Sequence, residues 1–120
     1  MGNLNRLFRP DSVAVIGGGA WCRSVIGALD RIGFHGPVWH VHPNAEGAIR
    51  SIADLPAAPD ACFIGVNRTA TIDCLRDLSA KGAGGAVCFA SGFAETGDGA
   101  ELNAALLAAA GDMAIVGPNC

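Results

Sequence analysis

Short, largely apolar runs recur along the chain, separated by segments that are polar or rich in glycine. Five of these runs are long enough to be strands: residues 13–16, 38–42, 61–66, 85–90 and 113–116. A short apolar run without strict alternation of apolar and polar positions is typical of a strand buried on both faces of a parallel sheet. We therefore predict five parallel strands.

The segments between these runs carry apolar residues at helical spacing. Three are predicted to be helices and one a short helical turn: residues 24–32, 70–81, 99–110 and 51–55. Ser24 is the expected N-cap of the first helix, and Gly33 and Gly82 are suited to end helices because glycine readily adopts the left-handed conformation.

Strands that alternate with helices predict an α/β fold. The expected architecture is Rossmann-like: a doubly wound, five-stranded parallel sheet with helices on both faces, forming one domain over residues 1–120. Before the first strand, Leu4, Leu7 and Phe8 are expected to pack on the sheet as an N-terminal arm.

Composition and charge argue against several classes of function. Of the 120 residues 51% are hydrophobic, and the net charge of −3 does not favour a nucleic-acid partner, which needs clustered positive charge. No apolar run approaches the ~20 residues that cross a bilayer, and no signal peptide is visible, so we expect a cytoplasmic protein without a membrane partner. The five cysteines form no C-x-x-C pair, so no metal site is expected, and Cys62 and Cys88 are expected core residues.

Three glycines, Gly17, Gly18 and Gly19, directly follow the first predicted strand. A glycine turn before a helix N-terminus brings backbone N–H groups close to a ligand, and the helix dipole adds positive potential there. Right-handed crossovers place the carboxyl ends of all strands at one edge of the sheet, where ligands of such folds bind. We therefore expect an anion site at the glycine turn, within a ligand site formed by the segments that come after the strands: residues 17–24, 42–44, 67–69, 91–95 and 117–120.

A nicotinamide dinucleotide is one candidate ligand for such a turn. The fingerprint G-x-G-x-x-G is incomplete, since Cys22 occupies the place of its third glycine. The second strand also ends in His42, Pro43 and Asn44, without the acidic residue that binds ribose hydroxyls. An interpretation without a ligand stays open for each of these features. The glycine turn could be a structural element only, and three charged residues could be solvated at the surface: Arg23, Arg68 and Glu95.

Four segments together resemble one protein family. They are residues 7–17 (LFRPDSVAVIG), 36–44 (GPVWHVHPN), 90–95 (ASGFAE) and 116–120 (VGPNC). In this combination the chain is similar, over nearly its whole length, to the N-terminal CoA-binding domain of NDP-forming (ADP-forming) acyl-CoA synthetases, which is related to the alpha subunit of succinyl-CoA synthetase. It departs from the family's usual Gly-Ala-Ser after the first strand, where Gly18 and Gly19 stand in the last two places.

The resemblance implies coenzyme A as the ligand, lying across the carboxyl edge of the sheet. The glycine turn would contact its phosphates, the end of the second strand would border the adenine and the ribose phosphate, and two later loops would line the pantetheine. The cofactor-binding residues implied in this way are Gly17, Gly18, Gly19, Ala20, Trp21, Arg23, Ser24, His42, Pro43, Asn44, Val66, Asn67, Arg68, Ser91, Gly92, Phe93, Glu95 and Asn119.

The family's reaction is acyl-CoA + NDP + phosphate ⇌ acid + CoA + NTP. It uses a phosphohistidine domain and a grasp-type nucleotide-binding domain, which the resemblance implies as partners within the same synthetase. The 120-residue chain is then expected to be a fragment that binds CoA without turnover. The alternatives are a stand-alone regulatory protein that binds CoA or a nucleotide, and the NAD(P)-binding half of an oxidoreductase; a homo-oligomer is left open.

Overall fold

The computed structural model describes residues 4–88, 99–111 and 113–116. Helices and strands alternate there, with a 3₁₀ turn before the third strand. In chain order the elements are α1 Leu4–Phe8, β1 Val13–Ile16, α2 Ala20–Arg31, β2 Val38–Val41, the 3₁₀ turn Ile52–Asp54, β3 Ala61–Ile64, α3 Arg68–Lys81, β4 Gly85–Cys88, α4 Gly99–Ala110 and β5 Ala114–Val116. Within these residues no helix has the length and apolar character needed to span a membrane.

The five strands form one parallel sheet in the order β2-β1-β3-β4-β5. The chain runs outward from β1 to β2 and then returns to the other side of β1 to continue with β3. Strand order therefore reverses at β1, where Ile16 is level with Val41 on one side and Ile64 on the other. In doubly wound sheets a ligand crevice opens above such a reversal.

Helices cover both faces of the sheet, as predicted. On one face α1 and α2 cover Val13 and Val15, which are fully buried. On the opposite face α3 and α4 pack against each other and over the small residues Ala14 and Cys62. Successive residues of β1 thus supply two separate cores, which is why this strand is apolar at every position.

Several local predictions are also confirmed. Cys62 and Cys88 are fully buried in the core beneath α3 and α4. Burial raises the pKa of the Cys62 thiol far above its ordinary value, so this residue remains a protonated core side chain. Gly82 ends α3 in the left-handed conformation with φ +92°, and Gly33 follows α2 with φ +76°.

The prediction that Ser24 caps the first long helix is wrong. α2 begins at Ala20, with Gly19 as its N-cap residue, and Ser24 is an exposed residue inside the helix. The chain reverses within the glycine turn, so the helix starts as soon as that turn is complete. The prediction for Phe8 is also wrong: its side chain is 68% exposed, whereas Leu7 is buried on the sheet.

Three strands are shorter than predicted. β2 ends at Val41 and β3 ends at Ile64, level with the end of β1, because a parallel ladder needs a partner on the neighbouring strand. β5 begins at Ala114 rather than at Met113. Predicted strand residues 89–90, beyond β4, lie outside the described residues.

An ion pair at the amino edge of the sheet holds α1 in place. Arg6 Nε donates to Asp60 Oδ1 at 2.7 Å, and the same guanidinium donates to Gly82 O at 3.0 Å. The second carboxylate oxygen of Asp60 accepts from the Asp11 backbone N–H at 2.8 Å. Since Asp60 directly precedes β3, its carboxylate joins α1 to the beginnings of two neighbouring strands.

Replacing Asp60 with Asn should destabilise the fold by about 1–2 kcal/mol at pH 7, the cost of weakened charge-assisted hydrogen bonds at a partly exposed site. Burial alone would raise the pKa of Asp60, but the Asp11 N–H and the Arg6 guanidinium outweigh it and lower the pKa below the ordinary 3.8. A lowered pKa in the folded state contributes stability that is present above the unfolded-state pKa and is lost as pH falls through the folded-state pKa. Urea denaturation at pH 7 and at pH 3 should show the larger penalty at pH 7.

Asp73→Asn is the matched control for this experiment. Asp73 pairs with Arg76 at 3.1 Å across one helical turn, and the two side chains are 69% and 65% exposed. Its loss should therefore cost below about 0.5 kcal/mol at either pH. If Asp60→Asn cost no more than this control at pH 7, the Arg6–Asp60 pair would have no special role in holding α1.

Candidate ligand-binding site

The glycine turn is anchored to both strands that flank β1. Gly17 N–H donates to Val41 O at 3.1 Å, and the Gly17 carbonyl accepts from His40 Nε2 at 2.5 Å. On the other side, Gly65 N–H donates to Ile16 O at 2.8 Å. The chain therefore leaves the sheet at a fixed point between β2 and β3.

The conformation and surroundings of Gly17 both require glycine. Its φ of +127° lies in a region that residues with a side chain rarely adopt. A Cβ here would lie 2.7 Å from Gly65 O and 2.9 Å from Cys22 Sγ, closer than nonbonded atoms approach. The turn can pass beneath β3 and α2 only because this Cβ is missing.

The N-terminus of α2 opens from this turn with no side chain capping it. Gly19 has extended backbone, makes no side-chain cap hydrogen bond, and is followed by a first turn without an acidic residue. Arg23 N–H makes the first backbone bond, to Gly19 O at 3.3 Å, so the N–H groups before it have no partner within the helix. The Arg23 guanidinium donates to Gly18 O at 3.4 Å and adds positive charge beside them. Such a helix end is suited to bind a phosphate group.

A cavity of about 440 Å³ lies beside the turn, at the ends of β1, β2 and β3. This is the point where strand order reverses, so the cavity coincides with the place where doubly wound folds bind ligands. The residues that line it are Ile16, Gly17, Gly18, Val41, His42, Pro43, Arg50, Ser51, Ile52, Val66, Asn67, Ala70, Cys74 and Asp77.

His42 forms part of the cavity wall in a fixed orientation. Its Nδ1 accepts a hydrogen bond from the Asn44 backbone N–H at 3.0 Å. Its ring lies so close to the glycine turn that a Cβ at Gly18 would be 2.5 Å from the imidazole Cδ2 and Nε2. The second glycine of the turn thus makes room for this imidazole.

After β3, helix α3 begins two residues earlier than predicted, and Asn67 is its N-cap residue. Its side-chain oxygen accepts from Ala70 N–H at 2.8 Å, so α3 begins at Arg68. Thr71, which is fully buried, donates its hydroxyl to Asn67 O at 2.9 Å and strengthens the same helix start. Asn67 therefore shapes the cavity mainly by positioning α3.

Cys74 reaches the cavity but is not activated. Burial, together with the nearby carboxylates of Asp77 and Asp73, raises the pKa of its thiol to about 11. The thiol is protonated at neutral pH and is therefore a weak nucleophile. Within the described part of the chain no three His, Cys, Asp or Glu side chains gather as a metal ion would require.

The structure brings many of the sequence-predicted residues to this edge. Six of them line the cavity: Gly17, Gly18, His42, Pro43, Val66 and Asn67. The glycine turn and the beginning of α2 hold four more: Gly19, Ala20, Arg23 and Ser24. Asn44 contacts His42 through its backbone. Two lie in helices with side chains outside the described set: Trp21 and Arg68. The others fall outside the described residues: Ser91, Gly92, Phe93, Glu95 and Asn119.

Sequence reasoning missed two groups of cavity residues. Residues 50–52 reach the cavity because Ile49 forms a bridge with β2, a non-local pairing that no local pattern reveals. Cys74 and Asp77 follow Ala70 at helical spacing and share its side of α3. That spacing is a signal that could have identified them once the start of α3 was assigned to the site.

A family model described as a CoA binding domain matches residues 11–120. The chain belongs to this family of CoA-binding domains. It is 33% identical to a trans-feruloyl-CoA synthase from an unknown prokaryotic organism and 35% identical to an ADP-forming acetate–CoA ligase from Archaeoglobus fulgidus. Each match covers 98% of this chain but only 18% and 19% of the respective relative, so the chain spans less than a fifth of their length.

The fold has a solved counterpart in a larger enzyme. The dinucleotide-forming acetyl-coenzyme A synthetase 1 of Ca. Korarchaeum cryptofilum, solved with phosphate and ADP, superposes on the domain with a TM-score of 0.89 at 29% identity. The match covers 99% of this chain and 28% of that one. The resemblance inferred from the sequence motifs is confirmed.

In this CoA-binding domain, Gly17→Ala should lower the free energy of unfolding by about 2–4 kcal/mol, since it combines an unfavourable φ with steric overlap. Gly19→Ser is the matched control: a Cβ there meets no atom within 4 Å, and serine is a preferred N-cap. The control should be as stable as wild type or slightly more so. Urea denaturation of all three proteins measures the difference, and equal losses from both substitutions would contradict the constraint assigned to Gly17.

Proposed function

We propose that this CoA-binding domain binds coenzyme A at the carboxyl edge of its sheet and serves as the CoA-binding module of an NDP-forming acyl-CoA synthetase. The family match and the relatives, an ADP-forming acetate–CoA ligase and a feruloyl-CoA synthase, support this proposal. The reaction in which the domain would take part is acyl-CoA + NDP + phosphate ⇌ acid + CoA + NTP. Its partners would be the phosphohistidine domain and the grasp-type nucleotide-binding domain of the same synthetase.

The observation that carries the proposal is the adjacency of two features suited to different parts of CoA. The uncapped N-terminus of α2 suits the pyrophosphate. The 440 Å³ cavity, with apolar walls that include Ile16, Val41 and Ile52, suits the adenine. Gly17 and Gly18 line the cavity and lead directly into Gly19, the N-cap residue of α2, so one ligand can occupy the two features together.

The pantetheine arm would extend from the pyrophosphate along the ends of β3 and β4. Val66 and Asn67 lie on that side of the cavity. In this arrangement Ser91, Gly92, Phe93 and Glu95 would line the arm, and the thiol would emerge at the edge of the domain, within reach of a neighbouring one.

The described side chains suit binding rather than catalysis. His40 holds the Gly17 carbonyl, and His42 accepts the Asn44 N–H, so both imidazoles serve the shape of the site. The raised pKa of Cys74, about 11, keeps its thiol protonated. We therefore assign to this domain the holding and orientation of CoA, and the phosphoryl chemistry to other domains.

CoA should stabilise the domain, because a ligand that binds only the folded state adds about 2.7 kcal/mol at a hundred times its Kd. Thermal unfolding at increasing CoA concentration measures this effect. NADH is the comparison ligand, since it represents the alternative of an oxidoreductase half. We expect Tm to rise with CoA and not with NADH; stabilisation by NADH alone would favour that alternative over our proposal.

Gly19→Asp should separate binding from folding. A Cβ at Gly19 meets no atom within 4 Å and aspartate is a favourable N-cap, so the ligand-free variant should be at least as stable as wild type. Its carboxylate would repel the pyrophosphate and raise the Kd for CoA by about tenfold or more. Titration calorimetry of Gly19→Asp beside the uncharged Gly19→Ser tests this, and equal Kd values would place the phosphates away from the α2 N-terminus.

A further inference from the structure

Arg50 is held at the cavity by a pairing outside the main sheet ladder. After β2 the chain turns back, and Ile49 forms a parallel bridge with Val41. Ile49 N–H donates to His40 O at 2.8 Å, and Ile49 O accepts from His42 N–H at 2.8 Å. The backbone preceding Arg50 is thus fixed to β2, and Arg50 itself lines the cavity.

Other polar side chains around the cavity are used for local structure. Ser51 donates its hydroxyl to the carboxylate of the 3₁₀ turn at 3.0 Å, Asn67 caps α3, and His42 accepts a backbone N–H. Arg50 and Asp77, in contrast, make no hydrogen bond or ion pair within the part of the chain that the structure describes. Arg50 and Asp77 are therefore two charged side chains of the cavity lining that are left for a ligand.

The two charges differ in what they can bind. Arg50 is exposed and carries a guanidinium, which can bind a phosphate through two parallel hydrogen bonds. Asp77 lines the cavity from α3, and its negative charge disfavours an anion next to it. A phosphate at the cavity is therefore expected at the guanidinium of Arg50, whose backbone neighbour Ile49 is bridged to β2.

We propose that Arg50 binds the 3′-phosphate of CoA and makes the domain select CoA over ligands that lack this phosphate. The inference rests on the proposed function. CoA has two separate anionic groups, the pyrophosphate and the phosphate on the ribose. With the pyrophosphate at the N-terminus of α2 and the adenine in the cavity, the ribose lies between them, and its phosphate is within reach of the rim that Arg50 occupies.

Titration calorimetry with CoA and with dephospho-CoA tests the proposal on three proteins: wild type, Arg50→Gln and Arg31→Gln. Arg31 is an exposed arginine in the last turn of α2, at the far end of that helix from the glycine turn, and serves as the control. Wild type and the control should bind CoA about tenfold more tightly than dephospho-CoA, the effect of one charge-assisted contact. Arg50→Gln should bind both ligands with the same Kd and unfold at the wild-type Tm without ligand.

The outcomes separate this inference from the proposed function. If wild type binds CoA without preferring it to dephospho-CoA, or if Arg50→Gln keeps the preference, the role of Arg50 is refuted while CoA binding stands. If wild type and control both fail to bind CoA, the proposed function fails and the inference with it. Arg50→Lys, which keeps the charge but not the forked geometry, should retain only part of the preference; full retention would show that charge alone suffices and refute the forked contact.

Discussion

The backbone path at Gly17 is the constraint on which the rest of the site depends. This residue donates to Val41, accepts from His40, and passes close to Gly65 and Cys22 with no space for a Cβ. These contacts join β1, β2, β3 and α2 at one point. The helix N-terminus and the cavity therefore keep fixed positions relative to each other, and a ligand that uses both requires little further ordering of the turn.

The groups available at this site come mostly from the backbone, and several side chains serve to hold that backbone. His40 fixes the turn, Asn67 fixes the start of α3, and Gly18 leaves room for the ring of His42. A net charge of −3 does not oppose an anionic ligand here, because charges beyond a Debye length of roughly 10 Å are largely screened. The local field depends instead on the α2 N-terminus and on the arginine in its first turns.

Patterns of neighbouring residues in the sequence predicted those parts of the structure that depend only on neighbouring residues. The apolar run of β1 and the glycines after it needed only neighbouring residues to be recognised, and the alternation of strands with helices then gave the sheet. Ser24 indicated the wrong helix start because a good capping residue does not show where the preceding turn ends. Phe8 was wrongly assigned to the sheet because apolar character alone does not decide which of two adjacent residues faces it. The place of Arg50 depends on the bridge between Ile49 and Val41, which is visible only in three dimensions.

A strand, a glycine turn and a helix N-terminus serve many nucleotide ligands, so these elements alone do not choose among them. The choice depends on the residues at the end of the second strand. A dinucleotide site has a carboxylate there, which accepts hydrogen bonds from ribose hydroxyls and would repel a ribose that carries a phosphate. Here His42 and Pro43 stand at the strand end, and the Ile49 bridge adds Arg50. In our proposal that one extra pairing turns a general pyrophosphate site into one that favours the phosphorylated adenosine of CoA.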